Sequence, residues 1–126
     1  MMTTLLFVYN SDSGLLNMAI DYVHRIVSPG TYTCSLCTLT YGKRGMLPDW
    51  KSFVLQLPVQ STFLYRDELR QQHPELAQHP LPAAFRREPG GPWRPFLTSH
   101  ELDHNNLPAL MQLVRSQLSV HYKPLL

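Results

Sequence analysis

The sequence has few cysteines, little net charge and no long apolar run, and each shortage excludes a class of protein. Its 126 residues include only 2 cysteines, so the fold cannot rest on a framework of several disulfides. No apolar stretch reaches the ~18–20 residues that a membrane-spanning helix requires. The formal net charge is only +2, and the basic residues are scattered, so we expect neither nucleic acid nor membrane as a partner.

Signals for export and for phosphate binding are also missing. Residues 1–9 have no basic stretch ahead of their short apolar run, so they do not fit a secretory signal peptide. We therefore expect a cytoplasmic protein. Gly42 and Gly45 flank a Lys-Arg pair, but they lack the spacing and the strand-to-helix context of a phosphate-binding loop.

Apolar periodicity and turn residues predict a single α/β domain, residues 1–126. The continuous apolar run at 5–9 indicates a strand buried on both faces, and Ser11, Asp12 or Ser13 can cap the helix that follows. In chain order we predict a strand at 5–9, a helix at 15–27, an extended segment at 31–40, a helix at 48–57, a strand at 62–65, a helix at 67–76 that Pro74 can shorten, a hairpin of strands at 82–86 and 93–98, and a last helix capped by Asp103 or Asn105.

The two cysteines are the residues most suggestive of chemistry, because Cys34 and Cys37 form a CxxC motif. Two thiols at this spacing can close a small redox disulfide, or they can supply half of a tetrahedral metal site. In a cytosolic protein such a pair is more often catalytic or metal-binding than a permanent structural disulfide. The redox hypothesis needs no cofactor and makes Cys34 and Cys37 the catalytic pair.

The alternative hypothesis is a zinc site. Asp21 and His24 are three positions apart and would share one face of the first helix. Strand direction requires the CxxC segment to return beside that helix, if the strands at 5–9 and 62–65 are parallel. Cys34, Cys37 and His24 could then bind zinc, with Asp21 as fourth ligand or as partner of the histidine. A third possibility is that both cysteines only pack as small apolar residues in a non-catalytic interaction scaffold.

The second half of the chain resembles the thioredoxin-like fold over about residues 60–120. The resemblance rests on Phe-Leu-Tyr-Arg-Asp-Glu at 63–68, Leu-Pro-Ala-Ala-Phe at 81–85, the Pro-Gly-Gly turn at 89–91 and the helix after it. It implies a mixed four-stranded sheet with flanking helices and a cis bond before Pro82. It also implies thiol–disulfide exchange with a protein partner, and a substrate loop in which Pro82 lies near Asp12.

The chain departs from that family in the position of its CxxC. In thioredoxins the motif follows the first strand directly and begins the first helix, whereas here Ser11, Asp12 and Ser13 occupy that place. Cys34 and Cys37 lie instead on an insertion at about 28–47. Activation of the first thiol by a helix N-terminus therefore cannot be transferred to Cys34 on the resemblance alone.

The first half is similar to a group of short bacterial proteins for which no activity is established. The shared residues are the Tyr-Asn-Ser-Asp-Ser-Gly run at 9–14, Asp21, His24, the Ser-Pro pair at 28–29, and the segment 34–42 that begins with the CxxC. This similarity names relatives without naming a reaction, so the redox, zinc and scaffold hypotheses all stay open.

Overall fold

A computed structural model describes residues 2–14, 34–42, 45–103 and 106–122, together with Ile20, Val23 and Val27. Within these residues the elements, in chain order, are β1 (Thr4–Val8), α1 (Ser35–Thr40), β2 (Tyr41–Gly42), β3 (Gly45–Met46), α2 (Pro48–Gln56), β4 (Gln60–Leu64), α3 (Arg66–Gln72), a 3-10 turn (Pro74–Leu76), β5 (Ala83–Arg87), β6 (Arg94–Leu97), α4 (Ser99–Asp103) and α5 (Leu107–Tyr122).

The main sheet is mixed and has four strands in the order β4-β1-β5-β6. β1 is parallel to β4 and antiparallel to β5, and β6 is antiparallel to β5. β2 and β3 form a separate two-stranded ladder. The predicted class, α/β with a mixed four-stranded sheet and helices, is therefore confirmed.

β1 lies between two apolar cores, which is why all its residues from Leu5 to Val8 are apolar. Leu5 and Phe7 point into the larger core, where α2 and α5 pack, and Leu6 and Val8 point into a smaller core under α3. Successive side chains of a strand point to opposite faces, so a strand covered on both sides must be apolar at every position. The prediction of a doubly buried first strand is confirmed.

Helix α2 covers one face of the sheet as its sequence pattern predicts. Pro48 begins the helix, where a missing backbone N–H costs no hydrogen bond. Trp50, Phe53 and Val54 are its buried residues. The ring of Trp50 meets that of Phe7 edge-on, with centroids 5.4 Å apart.

The segment that carries the second cysteine is helical, and the prediction of an extended chain at 31–40 is wrong for its second part. α1 covers Ser35–Thr40, and the chain becomes extended only at Tyr41. The sulfur of Cys34 accepts a hydrogen bond from the backbone N–H of Cys37, and the Thr40 hydroxyl donates to the Leu36 carbonyl at 2.6 Å. These local bonds outweigh the strand preference of the β-branched threonines.

Two other predicted helix boundaries can be compared with the structure, and the first of them was wrong. The last helix is capped by Asn106, whose side-chain oxygen accepts from the Ala109 N–H at 2.9 Å, rather than by Asp103 or Asn105. Asp103 belongs to a separate short helix, α4, and Asn105 lies outside the described residues. α3 ends at Gln72 and a 3-10 turn begins at Pro74, so the expected shortening before that proline is confirmed.

The chain enters β5 through a cis peptide bond between Leu81 and Pro82, as the family resemblance implied. The hairpin turn after β5 contains Gly90 with a φ of 76°, a conformation that other residues rarely adopt. In the part of the chain that the structure describes, no helix is both long and apolar enough to cross a membrane.

Candidate functional site

Cys34 and Cys37 are joined in a disulfide at the start of α1. Their Cα atoms are 5.3 Å apart, and both residues belong to the larger core. Cys34 has no exposed surface, whereas Cys37 retains 7%. The pair is therefore nearly enclosed, and Cys37 is the less buried residue of the two.

The disulfide lies against the residues that follow β1. The backbone N–H of Asn10 donates to the Cys34 sulfur at 3.3 Å, across 24 positions of sequence. The backbone N–H of Cys37 donates to the same sulfur, also at 3.3 Å. The hydroxyl of Ser11, a residue only 5% exposed, lies 3.9 Å from the Cys37 sulfur. Two backbone N–H groups thus point at the Cys34 sulfur, and a hydroxyl oxygen lies near the Cys37 sulfur.

This arrangement places Cys34 at the N-terminus of a helix, within the segment that the sequence predicts to be extended. Cys34 is the N-cap of α1, and its sulfur takes the place of the usual capping oxygen. α1 is only 6 residues long, so the interaction that matters is with individual N–H groups and not with the dipole of a long helix.

The loop after β1 is held in place by Arg66, the first residue of α3. The Arg66 backbone N–H donates to the Ser11 carbonyl at 2.8 Å. Its guanidinium donates to both carboxylate oxygens of Asp12, at 3.0 and 2.9 Å, and to the Asn10 side-chain oxygen at 3.3 Å. Because Asn10 and Ser11 also touch the disulfide, Arg66 helps to fix the groups that surround it.

A second carboxylate anchors the same loop one residue further on. Asp67 accepts hydrogen bonds from the Ser13 backbone N–H, at 2.8 Å, and from the Ser13 hydroxyl. These two bonds lower the pKa of Asp67 below its usual value. The hydrogen bond from Arg66 likewise lowers the pKa of Asp12. Both carboxylates are therefore held in their charged form. In that form Asp67 binds Ser13 of the loop most tightly, and Asp12 of the loop binds Arg66 most tightly.

A shallow cavity of about 190 Å³ lies beside this loop. Leu81, the residue before Pro82, borders it together with Asn10 and Arg66; the other lining residues are Leu69, Arg70, Ala77 and His79. Val8 pairs with Ala83 across the sheet, so Pro82 precedes β5 close to the end of β1. Asp12 is engaged by Arg66, and a substrate-loop role for Pro82 and Asp12 stays a prediction.

An aromatic cluster in the same core as the disulfide was not recognised from the sequence. The Tyr9 ring meets Tyr41 edge-on at 5.5 Å, and it stacks on Phe63 at 6.1 Å. The Tyr9 hydroxyl donates to that of Tyr41 at 3.4 Å. Burial, followed by this hydrogen bond, raises the pKa of Tyr9 far above its ordinary value. Tyr9 therefore stays neutral and acts as a packing residue.

The zinc alternative falls partly outside the structure, because Asp21 and His24 lie outside the described residues. Within 2–14, 34–42, 45–103 and 106–122, no three His, Cys, Asp or Glu side chains group closely enough to hold a metal ion. Zinc binds cysteine as the thiolate, so Cys34 and Cys37 could contribute to such a site only after the disulfide is reduced.

Known proteins give no guide to the reaction. No protein-family model matches the chain, and no curated protein and no solved structure shows a significant match to it. The case for a function therefore rests on the geometry around Cys34 and Cys37.

Proposed function

We propose that the protein is a thiol–disulfide redox protein that uses Cys34 and Cys37 on a thioredoxin-like scaffold. The observation that carries the proposal is the pair of backbone N–H groups, from Asn10 and Cys37, that donate to the sulfur of Cys34 within the disulfide. A sulfur in that position is prepared to carry negative charge.

The chemical reason is the fate of the sulfurs on reduction. When a disulfide opens, one sulfur leaves as a thiolate, and the reaction is easier when the leaving thiolate is stabilised. Hydrogen bonds from N–H groups stabilise such a charge. Here the donors are backbone groups held by β1 and α1, so they require no rearrangement to act.

The scaffold supports the same function. A parallel pair of strands, β1 and β4, is followed by α3, the loop through Pro82, the β5–β6 hairpin and the final helices. This is the chain order that the thioredoxin resemblance implies for residues 60–120. The CxxC lies 24 positions after Asn10 in the sequence, yet the Asn10 N–H, in the loop that follows β1, donates to the Cys34 sulfur.

Anaerobic purification followed by metal analysis and thiol titration tests the proposal. We expect metal-free protein whose disulfide is reduced by dithiothreitol to two thiols and re-forms on mild oxidation, with native structure kept in both states. Cys34→Ser and Cys37→Ser should each abolish the reversible step. The Cys34→Ser/Cys37→Ser double variant is the matched control, since it should show no response to either reagent.

Two results would contradict the proposal. One is stoichiometric zinc that is lost in Cys34→Ser and in His24→Ala, which would favour the metal site. The other is a pair of thiols that neither binds metal nor closes reversibly, which would favour a scaffold that needs neither cysteine.

A further inference from the structure

We propose that Cys37, and not Cys34, is the cysteine that forms the bond with an incoming thiol or disulfide partner. The inference rests on the proposed redox function and assigns the roles of the two sulfurs within it. Three features of the described residues carry it: access, leaving-group stabilisation and the position of Ser11.

Access separates the two cysteines. Cys34 is completely buried, whereas Cys37 keeps 7% of its surface exposed. Thiol–disulfide exchange requires the attacking sulfur to reach one sulfur of the disulfide directly, so the accessible sulfur is attacked first. Of the two residues, only Cys37 has exposed surface, so its sulfur is the nearer of the two to solvent in this assignment.

Leaving-group stabilisation leads to the same assignment. Attack at Cys37 expels Cys34 as a thiolate, and the Cys34 sulfur already accepts N–H hydrogen bonds from Asn10 and Cys37 at 3.3 Å. Attack at Cys34 would instead expel the Cys37 thiolate, whose contact with the Ser11 hydroxyl is longer, at 3.9 Å. The two backbone N–H groups at 3.3 Å stabilise a developing charge better than a hydroxyl at 3.9 Å does.

Ser11 is a positioning residue for Cys37. It is 5% exposed, its carbonyl accepts a hydrogen bond from the backbone of Arg66, and its hydroxyl oxygen lies 3.9 Å from the Cys37 sulfur.

The reaction balances in both directions. A partner thiolate attacks the Cys37 sulfur, a new bond forms between partner and Cys37, the Cys34–Cys37 bond breaks, and Cys34 leaves as the thiolate. A second partner thiolate then attacks the partner's sulfur and releases the Cys37 thiolate, which gives an oxidised partner and the reduced protein. In reverse, the Cys37 thiolate attacks a partner disulfide and releases one partner thiolate. The Cys34 thiolate then attacks the Cys37 sulfur, breaks the mixed disulfide and releases the second partner thiolate.

The test uses glutathione as the probe and the full chain as the reactant. Oxidised native protein is mixed with reduced glutathione, quenched in acid within seconds, digested and mapped by mass spectrometry. We expect the captured glutathione at Cys37 to exceed that at Cys34 by at least about tenfold, the ratio that a difference of 1.4 kcal/mol between the two routes would produce. Because the native sequence is used, this result does not depend on whether a variant folds.

The single variants give an independent readout. Cys34→Ser leaves Cys37 alone and should react with glutathione disulfide to form a stable mixed disulfide. Cys37→Ser leaves the buried Cys34 and should react at least about tenfold more slowly under native conditions. Both should react alike once unfolded in urea, which shows that burial and not the thiol itself sets the difference.

The outcomes separate this inference from the proposed function. Capture mainly at Cys34, with reversible reduction intact, would overturn the assignment of roles and leave the redox function standing. A disulfide that glutathione and dithiothreitol cannot open reversibly in the folded protein would overturn both.

Discussion

At the scale of single residues, the disulfide depends on neighbours that are far away in the sequence. Asn10 is 24 positions from Cys34, and Arg66 is 54 positions from Asp12. The first contact places an N–H group against the Cys34 sulfur. The second holds the loop that carries Asn10. The proposed redox role of Cys34 and Cys37 therefore depends on a group of residues and not on the motif alone.

Asp67 offers a test of how firmly that loop is held. Its pKa is lowered by the hydrogen bonds from Ser13, so it stabilises the fold above its unfolded pKa of about 4, and the contribution is lost as the pH falls through the lower folded value. Asp67→Asn removes the charge, and we expect it to cost about 1 kcal/mol at pH 7. Urea unfolding at pH 7 and at pH 3 measures both effects.

The size of the stability loss between pH 7 and pH 3 is the discriminating result. The native protein should lose stability between pH 7 and pH 3 by a larger amount than Asp67→Asn does, because the variant has no charge at this position to lose. Equal losses in the two proteins would show that the Ser13–Asp67 contact does not stabilise the folded state through its charge.

At the scale of secondary-structure elements, α2 contributes the largest side chain of the core. Trp50 is fully buried against Phe7 and Phe53. Trp50→Ala should lower the free energy of unfolding by about 3–5 kcal/mol, through lost apolar burial and the cavity left behind. Denaturant unfolding followed by circular dichroism measures this loss.

Leu55→Ala is the matched control on the same helix. Leu55 is 75% exposed, so its truncation should change stability by no more than about 0.5 kcal/mol. A similar loss in Leu55→Ala and Trp50→Ala would contradict the packing of α2 described above.

The elements also show which parts of the fold the sequence could reveal. β1 was predictable because its continuous apolar run matches a strand buried on both faces. α2 was predictable because its helical apolar spacing matches a helix buried on one face. α1 was not, because its helix depends on Cys34 acting as a cap, which neither propensity nor periodicity reports. The cap at Asn106 was missed because Asp103, Asn105 and Asn106 all have side chains suited to capping. The sequence does not show that Asp103 belongs to the preceding helix, α4.

The site was harder to predict than the fold. The sequence identified Cys34 and Cys37, but their contacts with Asn10 and Ser11 depend on how the intervening chain returns to the end of β1. Tyr9 was recognised only as part of a strand, and its ring contacts with Tyr41 and Phe63 follow from strand pairing and from α1. Long-range contacts of this kind leave no periodic signal.

At the scale of the whole molecule, the disulfide should add to global stability. It links residues 3 positions apart, and the chain-entropy relation gives about 2 kcal/mol for so short a loop. We expect the reduced protein to unfold at lower urea concentration than the oxidised protein. Unfolding with and without dithiothreitol measures the difference.

The Cys34→Ala/Cys37→Ala double variant is the control for this comparison, because reductant should not change its unfolding midpoint. If reductant lowers the midpoint of the double variant as well, the effect does not come from the disulfide. An unchanged midpoint in the native protein would contradict the stabilising role assigned to it.

Equilibrium redox titration tests the central claim most directly. The protein is equilibrated in a series of glutathione and dithiothreitol buffers, and the fraction of Cys34–Cys37 disulfide is measured by alkylation and mass spectrometry. The account predicts one reversible two-electron transition, with the same midpoint whether the oxidised or the reduced protein is used, in the range of about −270 to −120 mV that known thiol–disulfide proteins cover. A midpoint below about −300 mV, as in structural disulfides, or different midpoints from the two directions, would contradict it.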